Sequence, residues 1–123
     1  MKVKILATLV LALTVGLSAL NTHFLLQAID KTTDDVTDFS FQGRPEEIKQ
    51  HAEMLFEDYK KREFFLSLTV SHEDLTDIES LFSEMIGYLS VQDIEGARTA
   101  KSRLIDALMH LRRLSGVNIS SIL

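Results

Sequence analysis

The stretch LTVSHEDLTDIESLF, residues 68–82, is where this sequence comes nearest to chemistry, because His72 stands there among Glu73, Asp74, Asp77 and Glu79. An imidazole beside carboxylates is the donor set of a divalent metal, and a serine next to a histidine supplies a nucleophile and a base. Spacing decides between these readings. On a helix His72 and Glu79 share a face but lie two turns apart, a gap of about 10 Å along the axis, so one metal between them needs ligands from elsewhere. A zincin pattern requires a second histidine at position 76, which is Thr76. The Glu-x-x-His motif of di-metal helical bundles does not occur. Ser71 and His72, as neighbours on a helix, point about 100° apart. The same residues make a helix start without any chemistry. Ser71 followed by Asp74 resembles a capping box, with the acids at 73, 74 and 77 near the positive end of the dipole. Ser71 and Asp74 are therefore expected as a cap.

His51 and His110 complete the set, so that His51, His72, Glu79 and His110 form the alternative ligand group of a metal- or ligand-sensing bundle. A His110–Met54 pair on two helices has the donors for non-covalent haem. Met54 is one step off its apolar stripe and His110 lies between core leucines, so both read as boundary residues. No cofactor, metal or catalytic residue is expected. Without cysteine, thiolate nucleophiles, cysteine-based zinc sites and c-type haem attachment are excluded, and no glycine-rich phosphate loop is present.

The elements that must position these residues are helical. Ile48, Ala52, Leu55, Phe56 and Tyr59 stack on one helical face after a start at Pro45, Glu46 and Glu47, and REFFLSLTV reads as the buried end of that helix. Leu75, Ile78, Phe82, Met85 and Leu89 mark the next helix. A third begins near Asp93 and carries Ile94, Ala97, Lys101, Leu104, Leu108, Leu111 and Leu114, with Gly116 as its terminator. Lys101 breaks that stripe and is expected to snorkel outward. Val117, Ile119, Ile122 and Leu123 are expected to dock back. Short connections make such helices pack antiparallel.

Ahead of them, Ile5 to Leu20 (ILATLVLALTVGLSAL) is uncharged, and counting on to Ile29 gives 25 uncharged residues, enough to cross a hydrocarbon core of about 30 Å. Lys2 and Lys4 lie before it and acids after it, which by the orientation rule places the N-terminus in the cytoplasm. A cleaved signal peptide is the competing reading, with Gly16, Ser18 and Ala19 as a cleavage region. The unbroken apolar pattern at Phe24, Leu25, Leu26 and Ile29 favours the anchor, and Val36 and Phe39 are expected to carry its helix a little further before the break at Gly43, Arg44 and Pro45. From residue 30 onward 11 basic residues face all 18 acids, a net charge of −7, which disfavours nucleic acid as a partner.

The residues YKKREFFLSLTVSHEDLTDIE, together with Leu104 and the closing NISSIL, resemble the uncharacterised domain-of-unknown-function family 4363. Its members are short, membrane-anchored helical proteins of spore-forming bacteria. Tyr59 stands where that family tends to carry tryptophan. The resemblance implies an envelope location and brings no activity or catalytic residues with it.

The expectation is thus an all-α chain: a membrane anchor or signal peptide over 1–30, an acidic linker over 31–44, and an extracytoplasmic antiparallel three-helix bundle over 45–123. It would sit in the cell membrane as a single-pass protein and act as a non-catalytic interaction or assembly module for an envelope protein, with a homo-oligomer possible. His72 would be a packed hinge or couple the bundle to pH, since imidazole titrates between about pH 5 and 8.

Overall fold

The computed structural model describes residues 2–67 and 70–122, and every regular element among them is a helix. These are α1 (Lys2–Thr37), α2 (Pro45–Ser67), α3 (His72–Ser90) and α4 (Ile94–Ile122). Each packs on two others: α1 on α2 and α4, and α3 on α2 and α4. Cross-helix pairs fix the directions. Asp35 of α1 meets Arg62 of α2, and Phe39 just beyond α1 meets His51 near the start of α2. Glu84 of α3 meets Arg103 of α4, and Asp30 of α1 meets Arg112 of α4. Neighbours therefore run antiparallel around a ring, and the bundle has four helices where three were expected.

The fourth is the second half of α1. Leu25, Ile29, Thr32, Val36 and the following Phe39 recur at steps of four and three, and all five are buried. That stripe is easily missed, because it runs through DKTTDDVTDFS and one of its positions is a threonine. Thr32 satisfies its hydroxyl by donating to the Ala28 carbonyl at 2.9 Å and accepting from Arg62 Nη1 at 3.0 Å. The first half of the expected acidic linker is thus core-forming helix, and only residues 38–44 connect α1 to α2.

The expectation of a single-pass protein of the cell membrane, with a cytoplasmic N-terminus and an extracytoplasmic domain, is overturned. Among the described residues no helix is long and apolar enough to cross a membrane. The uncharged run reaches 25 residues only by including Leu25 and Ile29, and the bundle buries both. What remains apolar outside it, Ile5 to Leu20, is 16 residues. At 1.5 Å per residue that covers about 24 Å, short of a core of about 30 Å.

Lys101 does not snorkel outward. Its ammonium donates to the carbonyls of Phe39 (2.7 Å) and Thr37 (3.2 Å), so a charge from α4 satisfies backbone acceptors left over at the end of α1. Nor does Gly116 end α4, which continues to Ile122. The side chains of Phe65, Val117, Ile119 and Ile122, and all of Leu68, Thr69 and Leu123, lie outside the described residues.

Candidate functional site

The α2–α3 junction collects most of the residues that the sequence singled out. Ser71 is the N-cap of α3, in an extended conformation (φ −64°, ψ 142°). Its Oγ accepts from the Asp74 backbone N–H at 3.2 Å and donates to Asp74 Oδ2 at 2.9 Å. Glu73 and Asp74 occupy the first turn, where the helix dipole favours negative charge. Ser71→Ala is expected to cost about 1 kcal/mol, the usual loss of a helix cap, read as a lower midpoint in urea with an unchanged slope. A midpoint within error of wild type would show that the cap carries no stability.

His72 opens α3 and is exposed, and Glu79, two turns on, is half-buried. Across the α2–α3 seam from Glu79 lies Glu63 of α2, as the packing register shows. Phe82 lies stacked against Phe56 at 5.2 Å between ring centroids (3° between planes) and against Tyr59 at 5.3 Å (27°). With α2 and α3 antiparallel, one turn forward from Tyr59 is Glu63 and one turn back from Phe82 is Glu79. This register sets the Glu63 and Glu79 carboxyl groups in the same part of the α2–α3 seam, where both act on Tyr59.

The Glu63 carboxyl is held above its usual range. Burial contributes most, followed by the hydrogen bond with Glu79 and by that residue's charge, while His72 and Lys60 pull the other way. Beside the pair lies Tyr59, fully buried, with its hydroxyl the one buried side-chain polar atom among the described residues that has no hydrogen-bond partner. Burial pushes the Tyr59 phenol well above its ordinary range, and the negative charges of Glu63 and Glu79 push it further.

The remaining candidate ligands are dispersed. His51 is exposed on α2 with its ring 5.0 Å from that of Phe39, and His110 is exposed on α4. Met54 is also exposed, and α2 and α4 face each other across the ring without packing together, so the His110–Met54 haem pair is not assembled. Among the described residues no three His, Cys, Asp or Glu side chains are grouped so as to hold a metal ion.

Sequence spacing selected Glu79 but missed Glu63. The signal was present: in the series Ile48, Ala52, Leu55, Tyr59 and Leu66, all buried, Glu63 occupies the step after Tyr59, where an apolar residue would continue the stripe. An acid in a core register implies a partner on the helix opposite.

A second feature lies at the other end of α1. Val3, Ile5, Leu6, Leu9, Leu13 and Leu17 all keep more than half of their surface exposed, as does Phe24 at the edge of the bundle. Residues 2–24 thus project from the bundle, and the large apolar side chains from Ile5 to Leu20 are covered by no other described element. The chain matches no family model, no curated protein and no solved structure.

Proposed function

We propose that the chain is a non-catalytic protein-interaction or assembly module whose docking element is the N-terminal half of α1. The observation that carries this reading is the run of large apolar side chains between Val3 and Phe24 left open to solvent. Monomeric proteins rarely leave contiguous apolar patches beyond a few hundred Å² uncovered, and larger ones mark interaction surfaces. A continuous helix presenting leucines on every side suits an apolar groove or a gap between helices in a partner protein. A second copy of the same chain offers the matching surface and is one outcome of the test. The acidic balance beyond residue 30 supports a protein partner over nucleic acid.

A photo-crosslinking residue at Leu9 in the full chain, compared with one at the exposed Arg98 of α4, tests the reading. The Leu9 probe is expected to give a discrete adduct of defined mass and the Arg98 probe none. The double substitution Leu13→Glu/Leu17→Glu is expected to abolish the adduct while leaving thermal unfolding of the bundle unchanged, because neither side chain belongs to the core. Two results would sink the idea: equal labelling from both positions, or an intact mass showing that residues 2–24 are removed in the mature protein.

A further inference from the structure

We infer that two copies of this chain pair through the projecting half of α1, as a parallel two-stranded coiled coil along a heptad seam from Val3 to Phe24. This rests on the reading of that helix as a docking element and names a second copy as its occupant. Val3, Val10, Leu17 and Phe24 fall seven residues apart, and Leu6, Leu13 and Leu20 form a second such series three residues on. Together they fill the a and d positions of a heptad repeat. All seven side chains keep more than half of their surface exposed. Valine at a with leucine at d is the combination that favours two parallel strands, and Val3, Val10 and all three d leucines supply it.

The flanks of the seam agree with this pairing. Ala7 and Thr14 stand at e, and Leu9 and Gly16 at g, so no like charges oppose each other there across a parallel pair. The Thr14 hydroxyl donates to the Val10 carbonyl at 2.8 Å and is thereby turned back onto its own helix. Beyond Phe24 the next seam positions are Gln27, Lys31, Asp34 and Asp38, all polar, so the repeat stops where the bundle begins. Gln27 and Lys31 are also exposed, which shows that the bundle leaves the seam side of α1 open. Its buried stripe, Leu25, Ile29 and Val36, lies about 100° or more around the helix from the seam.

The area that such a pair removes from water matches a specific interface. A valine, leucine or phenylalanine side chain hides roughly 60–120 Å² when fully buried. Seven from each copy therefore remove roughly 800–1,700 Å², against about 1,200–2,000 Å² for a stable interface. A strict seven-residue repeat also winds the two helices around each other with a left-handed supercoil, which keeps the seam inward along its whole length.

Because the chain has no cysteine, single cysteines report the pairing directly. In the full chain, Leu6→Cys and Leu20→Cys are each expected to form a chain-to-chain disulfide when oxidised alone, since a parallel in-register pair sets each d position against its own copy. Val15→Cys, at the outward f position and also exposed, is expected to form none. Sedimentation equilibrium is expected to give the mass of two chains for wild type and for Val15→Glu, and of one chain for Leu13→Glu. Both substitutions add the same charge to the same exposed helix, so only the seam distinguishes them. A monomeric wild type, an assembly of three or more chains, equal dissociation by both substitutions, or a disulfide formed only between Leu6→Cys and Leu20→Cys chains when mixed would each overturn the inference. If wild type is monomeric while the Leu9 photo-probe still captures a different protein, self-pairing falls and the docking reading stands. If that probe gives no discrete adduct either, both fall.

Discussion

Replacing Phe82 by alanine is expected to destabilise the bundle by about 3–5 kcal/mol, the range for deleting a buried aromatic side chain. Phe82 is fully buried at the middle of α3, with Phe56 and Tyr59 stacked on its ring. Removing it strips both rings of a partner and opens a cavity that helices α2 and α3 cannot close without shifting. For a domain whose total stability falls near 5–15 kcal/mol, that is a large fraction. At roughly 4–8 °C per kcal/mol for a domain of this size, the melting temperature should fall by about 12 °C or more. Phe82→Leu keeps most of the volume and should lose much less. A loss below about 1 kcal/mol for the alanine variant, in an otherwise cooperative transition, would mean that the stacked arrangement does not persist in solution.

The opposite sign is expected at Tyr59. Its hydroxyl is buried and has no hydrogen-bond partner, and a buried polar group left unsatisfied costs about 1–3 kcal/mol. Tyr59→Phe removes that group and keeps the ring against Phe82, so the variant should be more stable by about 1 kcal/mol or more. Alkaline behaviour supplies a second check. The folded state holds the phenol above its ordinary value of 10.0, so the neutral side chain contributes stability that is complete below pH 10 and is lost as pH rises through the folded value. Alkaline unfolding of wild type should therefore accompany ionisation of Tyr59, and Tyr59→Phe should withstand higher pH. A destabilised phenylalanine variant would reveal an acceptor for the hydroxyl in solution and refute the account of this pocket.

The three later helices were legible because their stripes are long and apolar. Leu75, Ile78, Phe82, Met85 and Leu89 admit only one helical face, and each is buried as the spacing requires. That the helix of α1 runs on toward Val36 and Phe39 was legible, but that this half packs as the fourth helix of the bundle was not, for two reasons. Leu25 and Ile29 continue the apolar run before them, so composition assigns them to the same segment although packing divides them from it. Thr32 then occupies a core position, and its burial depends on Arg62, thirty residues away. Lys101 looked like a defect in its stripe for the same reason, since its acceptors lie at the far end of another helix. At the candidate site, the Ser71 cap is local and follows from four residues. The Glu63–Glu79 juxtaposition depends on the register of two helices, which no single helix's periodicity contains. His72 and Glu79 drew attention because they are close in sequence, whereas packing sets Glu79 near Glu63, a residue on the helix before it.

The continuity of α1 has a mechanical consequence. Its 36 residues form one helix with no proline, and the glycine within it, Gly16, stands in the exposed half. A helix of that length extends about 54 Å, of which residues 2–24 account for roughly the first 35 Å. The projecting half and the packed half thus make one rigid lever without an articulated joint between them. Whatever grips the tip would set the distance and tilt of the whole bundle, and a twist applied there would reach Asp30, Arg62 and Lys101 as torque on the anchoring contacts of α1.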